Sequence, residues 1–147
     1  MPMRIRKTTK KAVSRMWREW LAVDIKAYGE KRGREIYKES RERKKKITLG
    51  AFDGKKLLGY ASGEYSRGIA HLASLFVAEN ARGGGIGEKL VKAYETRAKR
   101  LGAHTLTVNT TGPLKNLGFY RKLGFKTESR YCNKRNKIEF IRLYKYT

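Results

Sequence analysis

A cluster of four glycines in five positions, Gly83 to Gly87, constrains this chain more than any other feature. It follows the apolar segment Ile69 to Val77 and precedes the amphipathic segment Glu88 to Leu101, so it joins a predicted strand to a predicted helix. The first amides of a helix lack partners within the helix and carry partial positive charge. Because glycines have no Cβ atoms, a phosphate can come close to those amides. With Arg82 beside it, the cluster predicts an anion-binding loop.

The spacing of the glycines excludes the two commonest phosphate loops. A P-loop ends in Gly-Lys-Ser/Thr, whereas Glu88 follows Gly87 in this chain. A dinucleotide fingerprint needs glycines at its first, third and sixth positions, and counting from Gly83 or from Gly85 does not supply all three. The cluster therefore binds a different phosphate ligand, or it is a flexible turn that binds nothing.

Charge is the second unusual property of the chain. Its 147 residues include 36 Lys and Arg but only 13 Asp and Glu, which gives a net charge of +23. Such a field attracts polyanions, so RNA, DNA or a ribosome is a candidate partner of the basic surface. The alternative is a solvated surface from an organism that favours Lys and Arg.

Other segments bear on the location of the protein. The longest apolar stretch, Ile69 to Ala78, is too short to cross a bilayer, and no secretory pattern opens the chain. Cys132 is the single cysteine, which excludes an intramolecular disulfide and a cysteine-based zinc site, and we expect it to be a packed thiol in a strand. These features predict a cytoplasmic protein with no membrane partner and no metal site.

The pattern of apolar residues predicts one α/β domain over residues 1–147, in the order β-α-α-β-β-β-α-β-α-β-β. The dipeptide Asp53-Gly54 predicts a tight hairpin between two of the strands. The predicted strands are Arg4–Lys7, Ile47–Ala51, Leu57–Ser66, Ile69–Val77, Thr105–Val108, Phe125–Tyr131 and Ile138–Tyr146. Thr8 or Thr9 is predicted to cap the first helix, and the other predicted helices begin at Glu30, Glu88 and Pro113.

Two motifs resemble those of the GNAT N-acetyltransferase superfamily. Leu75-Phe76-Val77 precedes Arg82-Gly83-Gly84-Gly85-Ile86-Gly87, which is similar to the pyrophosphate motif Arg/Gln-x-x-Gly-x-Gly/Ala of that family. Downstream, Asn116-Leu117-Gly118-Phe119-Tyr120 and the following Gly124-Phe125 resemble its closing motif. The resemblance implies a GNAT-like mixed, mostly antiparallel sheet with helices on both faces. It also implies transfer of an acetyl group from acetyl-CoA to a primary amine, whose identity the sequence leaves open.

The resemblance implies a cofactor cleft between the strand ending at Val77 and the strand near Leu106. One departure lies at Pro113 and Asn116, where the family often has Asn and Ala, so asparagine contacts to the pantetheine arm are expected from Asn109 or Asn116 instead. The residues implied to bind acetyl-CoA are Phe76, Val77, Arg82, Gly83, Gly84, Gly85, Ile86, Gly87, Glu88, Asn109, Asn116 and Tyr120.

Two side chains are candidates for acid–base catalysis. The position of Tyr120 matches the tyrosine that protonates the leaving thiolate in the family, and a core tyrosine is the alternative interpretation. His71 lies six residues before Val77, where some protein-lysine acetyltransferases of the family have a catalytic Glu. An imidazole suits a general base, although His71 could equally be a structural histidine of the sheet. Glu64, Glu79 or a chain of water molecules are the other candidates for the base.

A second class of function competes with the enzyme. A basic protein that binds nucleic acid or a ribosome could keep this fold without activity, as the cationic runs Arg41 to Lys46 and Lys134 to Lys137 suggest. No helix-turn-helix, zinc-finger or RNA-binding aromatic motif accompanies them. The last strand, which ends in Leu143 to Tyr146, is a candidate edge for pairing with a second copy in a homodimer.

Overall fold

The computed structural model describes residues 3–4, 6–14, 16–111 and 116–147. The chain divides into two compact units, Met1–Glu42 and Arg43–Thr147. A single domain over residues 1–147 stays a prediction. None of the helices in the described ranges is both long enough and apolar enough to cross a membrane.

The first unit is helical. Its helices are α1 (Lys10–Ser14), α2 (Trp17–Tyr28) and α3 (Glu30–Ser40). Thr9 caps α1, since its Oγ1 accepts a hydrogen bond of 3.2 Å from the amide of Ala12, and this confirms one of the two predicted caps. The helices α2 and α3 cross closely at Gly33, where a Cβ atom would lie 2.6 Å from the backbone nitrogen of Ile25.

The beginning of the chain differs from the prediction. The strand predicted over Arg4 to Lys7 is absent from the described residues 3–4 and 6–9, and Ile5 lies outside the described residues. The segment offers one apolar residue among cations, so a strand there would have little apolar surface to bury. The single helix predicted after Thr9 is two helices, α1 and α2, with Arg15 outside the described residues.

The second unit contains one six-stranded sheet in the order β1-β2-β3-β4-β6-β5. Neighbouring strands are antiparallel except β3 and β4, which are parallel, and this confirms the mixed, mostly antiparallel sheet. The strands are β1 (Lys45–Asp53), β2 (Lys56–Ser66), β3 (Ile69–Val77), β4 (Thr105–Thr111), β5 (Lys126–Cys132) and β6 (Glu139–Tyr146).

Two expectations about the end of the chain are wrong. The last strand, β6, lies between β4 and β5, so Leu143 to Tyr146 form no edge that could pair with a second copy. The edge strand on this side of the sheet is β5, whose residues are all exposed. Cys132 lies on this edge and is exposed rather than packed.

Helices of the second unit connect the strands. A 3₁₀ turn (Glu79–Ala81) and α4 (Ile86–Leu101) follow β3, and α5 (Asn116–Lys122) precedes β5. The predicted start of α5 at Pro113 lies outside the described residues. The buried face of α4, formed by Leu90, Val91, Tyr94 and Ala98, packs on one face of the sheet and forms the core. Helices on both faces stay a prediction.

Candidate functional site

The parallel strands β3 and β4 separate along their length. Their pairing runs from Ile69 with Thr105 to Leu72 with Val108. Beyond these pairs, residues 74–77 pair with β2 and residues 109–111 pair with β6, and these described residues do not pair with each other. The separation opens a V-shaped cleft in the middle of the sheet, at the place implied by the resemblance.

A β-bulge marks the point of separation. On β3, Leu72 pairs with Gly63 and Ser74 pairs with Ser62, so Ala73 is an extra residue. Tyr94 on α4 stabilises the strand just before the bulge, since its hydroxyl donates a hydrogen bond of 2.8 Å to the carbonyl oxygen of His71. Gly63 leaves room for this contact, because a Cβ atom there would collide with the Tyr94 hydroxyl and the His71 carbonyl.

The glycine-rich loop lies at the open end of this cleft, between β3 and α4. Gly83 and Gly85 have φ angles of +85° and +77°, and a Cβ atom at either would meet nothing within 4 Å, so the space beside the loop is free. Helix α4 makes its first internal bond from the amide of Lys89 to Gly85, at 3.1 Å. The amides of Ile86, Gly87 and Glu88 therefore have no partner within the helix. The loop has the geometry of an anion site.

Arg82 ties the loop to the end of β3. Its Nε donates a hydrogen bond of 2.9 Å to the carbonyl oxygen of Val77, and its guanidinium lies 5.6 Å from the centre of the exposed Phe76 ring. The Glu88 side chain makes an ion pair of 2.8 Å with Lys92, and the hydrogen bond from Lys92 lowers the pKa of the Glu88 carboxyl. Glu88 therefore offers a ligand its backbone amide rather than a free side chain.

The two sequence motifs meet in space. A Cβ atom at Gly87 would lie 3.4 Å from the ring of Phe119 on α5 and 3.8 Å from the Val77 side chain, so the helix carrying Phe119 and Tyr120 packs against the loop. The Tyr120 ring makes edge contacts with Phe119 and Phe125, at centroid distances of 5.1 and 5.5 Å.

Tyr120 is a buried phenol on the α4 side of the sheet. It belongs to the core that α4 covers, and the residue is 5% exposed. Burial raises the pKa of its hydroxyl to about 12, because the anion would lose its hydration. The hydroxyl therefore carries its proton throughout the physiological range, as a general acid must.

His71 lies on the opposite face of the sheet. Its neighbours Ala70 and Leu72 are buried in the core under α4, and side chains alternate along a strand, so His71 points away from α4. Its Nδ1 lies 2.8 Å from the Oγ1 of Thr107 across the last part of the paired strands. Burial lowers the pKa of the imidazole, the charge of Arg142 lowers it further, and Glu64 opposes the change. His71 is therefore neutral at pH 7.

Two grooves flank His71 on this face. One, of about 370 Å³, is lined by His71, its cross-strand neighbour Glu64 and the bulge residue Ala73. The other, of about 520 Å³, is lined by Thr107, Arg142 and Tyr144 among others. His71 lines the first groove directly, and its partner Thr107 lines the second.

The remaining predicted site residues are two asparagines and two acids. Asn109 is exposed on the separated part of β4, and Asn116 is exposed at the first position of α5. Glu64 lies opposite His71 in the β2–β3 register, where Lys44 approaches it at 3.6 Å, whereas Glu79 lies beyond the end of β3. Of the two acidic alternatives for the base, only Glu64 is a neighbour of His71 in the described part of the chain.

Three further residues of the cleft were not predicted. The Thr107 hydroxyl contacts the His71 ring, and the Tyr94 hydroxyl bonds to the His71 carbonyl. Both contacts depend on strand register and packing that no local pattern reveals. Thr110 is buried on the separated part of β4, and its hydroxyl has no hydrogen-bond partner among the described residues. A bound ligand could satisfy that hydroxyl.

Comparisons with known proteins agree with this geometry. The model of the acetyltransferase (GNAT) family matches residues 13–125. No curated protein matches the chain. An acetyltransferase from Bacillus cereus ATCC 14579 is 16% identical over 99% of this chain and 98% of that one, with a TM-score of 0.66.

Two other solved structures share the fold. A ribosomal-protein-alanine N-acetyltransferase from Brucella melitensis is 20% identical over 99% of this chain and 100% of that one, with a TM-score of 0.61. A Bacillus anthracis protein solved in complex with acetyl coenzyme A is 18% identical over 69% of this chain and 62% of that one, with a TM-score of 0.64. At these identities, the likeness concerns the fold.

Proposed function

Since the chain belongs to the GNAT acetyltransferase family, we propose that it transfers an acetyl group from acetyl-CoA to a primary amine. The observation that carries the proposal is the separation of β3 from β4 beside a glycine loop with free amides. The family match extends from the first unit into the second, which supports treating residues 1–147 as one N-acetyltransferase domain.

We propose that backbone and side-chain groups at the cleft bind acetyl-CoA. Phe76 and Val77 do not pair with β4, so their backbone groups, other than the Val77 carbonyl that accepts from Arg82, could bind the pantetheine arm as an added strand does. The amides of residues 83–88 would hold the pyrophosphate, with Arg82 as the neighbouring cation. Asn109 and Asn116 are the side chains we propose for further contacts with the arm. When bound, acetyl-CoA supplies the acyl group as a reactive thioester.

The two catalytic candidates lie on opposite faces of the sheet, with the cleft between them. We propose that the Tyr120 hydroxyl donates its proton to the departing thiolate sulfur on the α4 face. On the other face, we propose that His71 takes a proton from the acceptor ammonium. Because Nδ1 is engaged by Thr107, Nε2 is the nitrogen available for that proton.

The acceptor amine would then approach from the His71 face. The groove beside His71 includes the carboxylate of Glu64, which would attract an ammonium group before His71 removes the proton. Holding the amine against the thioester would supply much of the rate by proximity.

Isothermal titration of the full chain with acetyl-CoA tests the proposal. We expect one site per chain, with binding competitive with free CoA. Absence of binding would exclude the transferase. A second assay follows release of free thiol from acetyl-CoA in the presence of a pool of peptide and small-molecule amines. Binding without amine-dependent thiol release from any acceptor would favour the basic binding protein that lacks activity.

A further inference from the structure

The hairpin formed by β5 and β6 presents a rigid cationic turn. The side chain of Asn133 organises this turn, since its Oδ1 accepts hydrogen bonds of 2.9 and 3.3 Å from the amides of Arg135 and Asn136. The amide of Lys137 also bonds to the carbonyl of Asn133, at 2.8 Å. The turn therefore has an ordered backbone from which its cations, Lys134, Arg135 and Lys137, extend as exposed side chains.

These three cations are not neutralised by the hairpin itself. Its two acids are already paired, Glu128 with Arg142 at 3.0 Å and Glu139 with Arg130 at 3.1 Å. Among the described residues, none of Lys134, Arg135 and Lys137 has an acidic partner within 4.0 Å. The turn thus has an uncompensated charge that suits an anionic partner.

An aromatic pair lies next to the cations. Tyr131 on β5 is opposite Phe140 on β6, and the two rings stack with their centres 5.5 Å apart and their planes 13° apart. Tyr131 is 49% exposed, so part of the stack is open to a further ring. A flat, open aromatic surface beside exposed cations is the combination that binds unpaired bases together with their phosphates.

We propose that this turn binds single-stranded RNA, with a base stacking on Tyr131 and phosphates contacting Lys134, Arg135 and Lys137. An acidic peptide would use the cations but not the flat ring, and a duplex keeps its base faces covered. RNA is favoured over DNA because its loops and ends offer unpaired bases. The proposal is independent of acetyl transfer, since these residues lie outside the cleft.

Fluorescence anisotropy with the full chain tests this assignment. The probes are a labelled single-stranded oligouridine and an RNA duplex of the same length, each titrated at several KCl concentrations. For Tyr131→Leu we expect about tenfold weaker binding of the single strand with an unchanged salt dependence, because stacking is lost while charge is kept. For the combined Lys134→Ala, Arg135→Ala and Lys137→Ala variant, the slope of log K against log salt should fall by about two.

Matched control variants remove three exposed cations and one exposed tyrosine from α2 and α3 instead of from the turn. Lys31, Arg32 and Lys38 are exposed cations of α3, and Tyr28 is an exposed tyrosine of α2. The proposal is overturned if the α3 triple alanine variant or Tyr28→Leu weakens binding as much as its counterpart in the turn. Equal affinity for the duplex, or no RNA binding, would also overturn it. If Tyr131→Leu fails to fold, Tyr131→Trp replaces it, and loss of binding in that stacking-competent variant would count against the proposal.

Discussion

The paired half of β3 and β4, residues 69–72 and 105–108, contrasts with the separated half, residues 73–77 and 109–111, although the same two strands form both. In the paired half the backbone groups satisfy one another, and the side chains build the core and hold His71. In the separated half the described residues of the two strands do not pair with each other, which leaves backbone groups for a ligand, although the Val77 carbonyl already accepts from Arg82. The comparison teaches that the cleft forms because β3 and β4 stop pairing before either strand ends.

The change from one half to the other occurs within one residue. Ala73 is the extra residue of the bulge, and Gly63 and Tyr94 fix the strand immediately before it. Variants on either side of Ala73 should therefore have different consequences: those in the paired half should change stability or proton transfer, and those at the open end should change cofactor affinity.

Gly63→Ala should have the largest effect. The new methyl group would collide with the carbonyl oxygen of His71 and the hydroxyl of Tyr94, both fixed within the core. We expect a loss of about 3 kcal/mol in the free energy of unfolding, measured by urea denaturation. Gly118→Ala is the matched control, because that glycine is exposed in α5 with open space around it, and it should be neutral or slightly stabilising. An unchanged midpoint for Gly63→Ala would contradict the described packing.

His71→Gln should lower kcat about a hundredfold and leave KM for acetyl-CoA unchanged. His71 is the base only when neutral, and its pKa is lowered, so kcat/KM of the wild type should fall as pH drops through a value below 6.5. The variant should lose this acidic limb. The control is His104→Gln, since His104 makes a similar bond of 2.8 Å to Thr105 but is exposed away from the cleft. If the variant keeps both the wild-type kcat and the fall in kcat/KM at acidic pH, His71 is not the base.

Gly85→Ala tests the glycine-rich loop at the open end of the separated half. We expect this variant to raise KM for acetyl-CoA about tenfold with little change in kcat. A methyl group would occupy the space left for the pyrophosphate, and the φ angle of +77° disfavours a side chain. Gly54→Ala provides the comparison, since its φ of +57° imposes similar strain in the remote β1–β2 turn. Equal changes in KM for the two variants would mean that strain, and not lost contact, is responsible.

Tyr94→Phe should have the smallest effect, a loss of about 1 kcal/mol in unfolding free energy, because it removes one buried hydrogen bond and keeps the ring. Urea denaturation measures it, with Tyr146→Phe as a control at an exposed tyrosine of β6. If the two variants are equally stable, the bond to the His71 carbonyl does not stabilise the paired half.

The sequence predicted the local parts of this arrangement and missed those that depend on pairing. The glycine loop, the strand–helix–strand crossover and the short helix that carries Phe119 and Tyr120 follow from local motifs. The contact between His71 and Thr107 and the interior place of β6 depend on register and strand order, which alternation along one strand does not encode. The strand predicted over Arg4 to Lys7 is absent from the described residues, because an alternating sequence also needs a neighbouring strand to pair with.

The placement of Tyr120 and His71 on opposite faces also concerns the order of events in catalysis. In the proposed function the amine approaches from the His71 face while acetyl-CoA occupies the cleft, so both reactants could be present at once and the acyl group could pass in one displacement without being stored on the protein. Storage on a thiol would need a cysteine in the cleft, and the only cysteine, Cys132, is on the exposed edge of the sheet. Initial-rate plots at varied concentrations of both substrates should therefore intersect rather than run parallel.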